Sequence, residues 1–209
     1  MEARVTQPRG GLPIRSNKVA QRRQRMREEL VRAGTKLFAA NGTAAVSVED
    51  IIAEAGISRA TFYGVFANKH ELLGAILSPV LAGGIAGFRA LDQAPPAEIV
   101  PGIIRVYTDL WATGERALTL IAGIDQSVFG YLGDSHEAFT ASLRGLLLEA
   151  GAAGCLRNGD AELSFRVIAR TAVPLLRVFA DRPDWAALFR DAMTSLLLQP
   201  DRSSNDRRP

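Results

Sequence analysis

A chain of 209 residues that is 47% hydrophobic and 22% charged carries enough apolar material for one or two globular domains with a packed core. Its single cysteine, Cys155, excludes an internal disulfide framework, and with no charged-then-apolar leader at the start the expected compartment is a reducing cytoplasm. The net charge of +3 is uneven, with twelve Lys and Arg against six Asp and Glu in residues 1–70 and thirteen against sixteen in the rest. A basic front end on a mildly acidic body suits a polyanionic partner at one end, although a solvated charged face is the simpler reading of a charge run alone.

Residues 1–19 hold Pro8, Gly10, Gly11 and Pro13 among scattered basic groups without apolar periodicity, and are expected to form a flexible basic arm. From about Val19 to Ala40, Met26, Leu30, Ala33, Leu37 and Phe38 recur at steps of three and four. They predict an amphipathic helix with basic early turns that stops at Asn41-Gly42. Ser47 with Asp50 forms a capping box for a short helix whose apolar face is Val48, Ile51, Ile52 and Ala55 and whose end is Gly56. Ser58 caps the next helix, and Asn68 with Glu71 opens a longer one through about Leu91. Its most apolar run, Ala75 to Phe88, is too short for a bilayer and contains Pro79, so a membrane span is not expected. Further helices are predicted at 96–113, 115–132, 135–154, 161–181 and 184–198, with no strand alternation, giving an all-α protein.

Two short helices joined by "AGIS" after a longer one form a helix-turn-helix pattern, in which Gly56 allows the sharp turn and Ile57 tucks beneath it. On the helix after Ser58, Phe62 and Phe66 lie four apart and face inward, with Ile51 and Phe38 as expected neighbours. Arg59, Thr61 and Tyr63, with the small residues Ala60 and Gly64, are left on other sides. Small residues beside Arg and Thr permit close approach to a groove edge, a helix N-terminus favours phosphate, and Arg59 can present its fork to guanine. Arg22 and Arg23 join the candidate DNA contacts on charge and position.

The stretch "LVRAGTKLFAANGTAAVSVEDIIAEAGISRATFYGVFANKHELL" resembles the DNA-binding domain of the tetracycline-repressor (TetR) family of bacterial transcriptional regulators. Its most specific part is Tyr63, Phe66, Lys69 and Leu72 in the order Y-x-x-F-x-x-K-x-x-L. The resemblance implies Ser47 and Ser58 on backbone phosphates, Arg59, Ala60, Thr61 and Gly64 at the major groove, and Tyr63 and Lys69 clamping phosphates. Gly64 and Val65 stand where bulkier or polar groups are often found. The expected layout is a basic arm (1–19), a helix-turn-helix DNA-binding domain (20–67), a helical ligand-binding and dimerisation domain (68–199) and a disordered tail (200–209).

In the body, "DSHE" reads as a capping box of Asp134 with Glu137 rather than a catalytic relay, since neighbours on a helix cannot line up as one. His70, His136 and Cys155 fall short of a metal site, and no metal, cofactor or enzymatic chemistry is expected. Gly83 and Gly87 match G-x-x-x-G, read as close packing or bending rather than association in lipid. The 161–181 segment gathers Arg166, Arg170, Arg177 and Asp181 on one narrow side and apolar residues around the rest. With the last helix it offers a homodimer interface through Phe165, Ile168, Leu176, Phe179, Phe189 and Met193, although packing within one chain is the alternative. The resemblance likewise implies a dimer on a palindromic operator.

Tyr107, Trp111, Phe129, Tyr131 and Phe139 are each read first as core, and together as candidates to line an apolar effector pocket. Pro79 lacks the N–H that would reach the Ala75 carbonyl, which leaves either a hinge or a static kink. The leading expectation is a ligand-released repressor that binds double-stranded DNA and a small hydrophobic effector. A DNA-binding activator or architectural factor without an effector, and a helical small-molecule-binding protein or enzyme, are the alternatives.

Overall fold

The computed structural model describes residues 14–121 and 126–199. The proposed tail, 200–209, and residues 1–13 of the proposed arm lie outside them. Among the described residues, helices joined by turns, with one isolated antiparallel bridge between Leu156 and Leu198, follow the order α1 (Ile14–Asn41), α2 (Val48–Ala55), α3 (Arg59–Tyr63), α4 (Lys69–Arg89), α5 (Pro96–Ile121), α6 (Gln126–Leu132), α7 (Asp134–Ala152), α8 (Ala161–Phe179) and α9 (Trp185–Leu197).

Helix α1 starts earlier than its apolar pattern, so residues 14–19, expected in the arm, are its first turns. From Lys18 to Glu29 no side chain is buried, so these turns rest on local propensity rather than packing. The α2 capping box forms as its spacing predicts. Ser47 Oγ accepts from Asp50 N at 3.2 Å, and the Asp50 carboxylate accepts from Ser47 N at 2.8 Å. Gly56 then closes α2 at φ 64°, in the left-handed region that a side chain disfavours. Ser58 caps α3 through Thr61 N, and Asn68 Oδ1 caps α4 through the N–H groups of His70 and Glu71, both at 2.9 Å. The break expected between 113 and 115 falls at Gly114, whose φ of −141° and ψ of 34° interrupt α5. The Asp134 cap does not form. Gly133, at φ 52°, takes the N-cap position without a side-chain bond, and Asp134 becomes the first helical residue.

Helix α4 is the axis of the fold, packing against α1, α5, α6 and α7. Over its full length it is long and apolar enough to cross a bilayer, longer than the run weighed in the sequence, and half of its most apolar stretch of 18 residues is buried in the protein. Its glycines allow the close approach that G-x-x-x-G suggested. A Cβ on Gly84 would lie 2.2 Å from the Phe139 ring, and one on Gly87 would lie 2.7 Å from Val106. Pro79 is exposed, and α4 continues through it. One apolar core runs from Leu30, Phe38, Ile51, Phe62 and Phe66 through α4 to Leu176, Phe189 and Met193.

This core overturns much of the interface reading. Ile168, Leu176, Phe189 and Met193 are at most 1% exposed within a single chain, so no second copy can reach them. Phe165 and Phe179 are half-buried. Helices α8 and α9 instead expose Leu163, Val178 and Leu196.

Candidate functional site

Phe62 and Phe66 anchor the helix-turn-helix, both buried and 6.3 Å apart between ring centroids. With these rings inward, Arg59, Ala60, Tyr63 and Gly64 are exposed and Thr61 is half-buried, which gathers the proposed groove residues on one surface. The Arg59 guanidinium lies 3.0 Å from Glu49 of α2 and over the Tyr63 ring. Both partners of that pair are solvated, so exchanging Glu49 for another acceptor costs little. Ser58 Oγ and Thr61 Oγ1 lie 2.8 Å apart and share a hydrogen bond. Arg22 and Arg23 are exposed on α1, two turns ahead of the buried Leu30.

Two proposed phosphate contacts are already engaged inside the domain. Lys69 Nζ donates to the carbonyls of Thr43 and Val46, each at 3.0 Å, and so pins the loop between α1 and α2 to the start of α4. Two of the three N–H donors of the ammonium are thus engaged on backbone acceptors, which leaves one for the proposed phosphate. Ser47 directs both its N–H and its hydroxyl to Asp50. These bonds, the side-chain one first, hold the Asp50 carboxyl below its ordinary value.

The body contains a cavity of about 360 Å³ between α4, α5, α7 and α8. Tyr107 and Phe139, two of the proposed pocket residues, line it. Trp111 is buried but lies outside its wall, and the side chain of Phe129 lies outside the described residues. Tyr131 is surface-exposed rather than pocket-lining, because α6 packs flat on α4 at Gly74, where an added Cβ would sit 3.0 Å from Tyr131 Cβ. From there Asn68 Nδ2 donates to Tyr131 Oη at 2.7 Å. One asparagine thus caps α4 and ties its start to α6.

The polar members of the cavity wall are His136, Thr140 and Arg144, at positions i, i+4 and i+8 on α7. The sequence reading missed them as a group, although this spacing within an apolar helix was visible. Burial first and the Arg144 charge second hold His136 below the ordinary imidazole value. Burial raises the Tyr107 phenol above its ordinary value.

An exposed helix-turn-helix face on an all-helical body defines a DNA-binding regulator of the two-part helical class. Residues 30–76 match the family model of bacterial regulatory proteins, tetR family. Its fold is similar to a tetR-family regulatory protein from Rhodococcus RHA1, with TM-score 0.67 and 18% identity, covering 84% of this chain and 98% of that one. It is also similar to the ketosteroid transcriptional regulator of Mycobacterium tuberculosis, with TM-score 0.68 and 21% identity, covering 83% and 95%. A third is the fatty acid degradation regulator from Bacillus halodurans, with TM-score 0.64 and 17% identity, covering 82% and 94%. Comparison of the sequence with curated proteins gives no significant match.

Proposed function

We propose that the protein is a cytoplasmic, dimeric repressor that binds a palindromic operator through residues 20–67 and is released when an apolar effector enters the domain formed by 68–199. One observation carries this reading. Helix α4 holds the recognition unit at its start, through Lys69, and further along it walls the cavity with Leu81 and abuts the cavity residue Phe139 at Gly84. A molecule that binds the two positions of α4 unequally shifts the DNA-binding equilibrium by that difference in affinity and no more. Two of the structural neighbours are described as regulators of fatty acid degradation and of ketosteroids, in keeping with an apolar effector. The dimer is assigned to the exposed face of α8 and α9 around Leu163, Val178 and Leu196. No catalytic role is assigned.

In the reading, Arg59, Ala60, Thr61 and Gly64 meet base edges, Tyr63 and Ser58 meet phosphates, and Arg22 and Arg23 add non-specific charge. Selection of bound sequences from random DNA, followed by gel shift on the selected site, tests it. The expected outcome is a two-fold symmetric site whose complex dissociates with a compound from an apolar library. Tyr131→Phe is expected to change the compound concentration needed for release while leaving binding to the site unchanged. Failure to enrich any sequence would remove the regulator reading.

A further inference from the structure

The cavity between α4, α5, α7 and α8 is apolar on three sides and polar on one. Leu81, Leu118, Ile168 and Val173 wall it from α4, α5 and α8, whereas α7 turns His136, Thr140 and Arg144 towards it on consecutive turns. A molecule that fills it is therefore apolar over most of its surface and polar along one edge.

The sign of that polar edge follows from Arg144. Its Nε donates to Glu162 Oε2 at 3.0 Å, and its guanidinium lies 3.8 Å from the centroid of Phe165, itself a cavity residue. Stacking on Phe165 fixes the plane of the fork at the cavity mouth, and the remaining guanidinium N–H groups make no hydrogen bond with any described residue. Glu162 and Arg144 are both about half exposed, and an ion pair in water exchanges readily for another carboxylate. The neutral imidazole next to Arg144 adds no opposing negative charge, and a cationic ligand would be repelled by the guanidinium.

Tyr107 supplies a second, independent observation. It is 7% exposed and lines the cavity, and its hydroxyl makes no hydrogen bond with any described residue. No fully enclosed side-chain oxygen or nitrogen among the described residues lacks a partner, so this hydroxyl is open to the cavity, where an occupant can reach it. Burial keeps that phenol protonated, so it presents a donor to a neutral oxygen.

From these features we infer that the cavity binds an apolar carboxylic acid, with the carboxylate on Arg144 in place of Glu162 and the body against the apolar walls, its further oxygen, where it has one, facing Tyr107. This rests on the reading of the cavity as the effector site. It sets the class of effector as acids, rather than neutral or cationic apolar molecules.

The test uses the full chain and the fluorescent aromatic sulfonate 8-anilinonaphthalene-1-sulfonate, an apolar anion whose emission rises in apolar cavities. Decanoate, methyl decanoate and decyltrimethylammonium then compete for it. Decanoate is expected to displace the dye at about tenfold lower concentration than the ester, and the ammonium not to displace it, as a charge-assisted bond requires. Arg144→Gln is expected to bring decanoate to the ester's level without moving the ester, Arg144→Lys to keep a preference for the acid, and Glu162→Gln to strengthen decanoate severalfold. Arg144 is at the surface, so all these variants should melt close to the parent. Equal competition by acid and ester in the parent, or a preference that survives Arg144→Gln, would overturn the acid class and leave the cavity as an effector site. A dye that does not bind, or that none of the three displaces, would overturn the effector-site reading and this inference with it.

Discussion

Removing the Lys69 ammonium leaves the carbonyls of Thr43 and Val46 without their 3.0 Å donor, at the junction where the loop after α1 meets α4. Bonds to a charged donor contribute about 1.5 to 3 kcal/mol, so Lys69→Ala is expected to lower stability by about that amount. Binding to all DNA sequences then weakens together, because the recognition surface loosens. Arg59→Ala is expected to leave the melting temperature unchanged, to cost about 1 to 3 kcal/mol of DNA affinity, and to relax preference at one position of each half-site. Thermal unfolding with sequence selection on both variants distinguishes the two roles. An unaltered melting temperature for Lys69→Ala would leave that residue its DNA role alone. The resemblance pointed to Lys69, but its acceptors lie 26 and 23 residues earlier in the chain. Only the folded chain brings them together. The Ser47 and Asp50 bonds span three residues and were legible as spacing.

At the scale of the helix, Gly84 sets how near Phe139 can come to α4, since an added Cβ would lie 2.2 Å from one ring carbon and 2.8 Å from the next. Gly84→Ala therefore drives that ring towards the cavity it lines, at an overpacking cost of about 1 to 3 kcal/mol. The expected outcome is weaker binding of the fluorescent sulfonate, recovered when Phe139→Leu is added to the same chain. Undiminished dye binding in Gly84→Ala would mean that α4 shifts instead of the ring. Helix starts and stops were readable where their signals are local, as at Ser58, Asn68 and Gly114. Asp134 misled because Gly133, at φ 52°, provides the turn into α7 and leaves the aspartate nothing to cap. The facing of α8 was not readable for another reason. Its apolar residues surround most of the helix, so Ile168 and Leu176 inside and Leu163 and Val178 outside are told apart only by their neighbours. Tyr131 was misplaced similarly, its partner Asn68 lying 63 residues away.

For the whole molecule, assembly is the property most easily separated from folding. Val178 is 73% exposed on α8, whereas Leu176, two residues earlier, is fully buried. Val178→Asp is expected to yield a folded monomer by sedimentation, since an unpaired charge in an apolar contact between copies is strongly disfavoured. Leu176→Asp is expected to unfold the chain, for the same reason acting inside it. A folded Val178→Asp protein that remains dimeric would move the interface away from this face of α8.

The α4 connection can also be expressed as a lever. Gly84 lies 15 residues beyond Lys69 in the same helix, a separation of about 22 Å at the helical rise. Pivoting about the cavity end by about 5° carries the recognition unit sideways by about 2 Å over that length. In a two-fold dimer the opposed unit moves by the same amount, and the change in span reaches about 4 Å, compared with about 3.4 Å between successive base pairs. The proposed effector thus has no need to unfold the DNA-reading surface or cover it: in the proposed dimer, a tilt smaller than the angular scatter among packed helices would take two matched half-sites out of step.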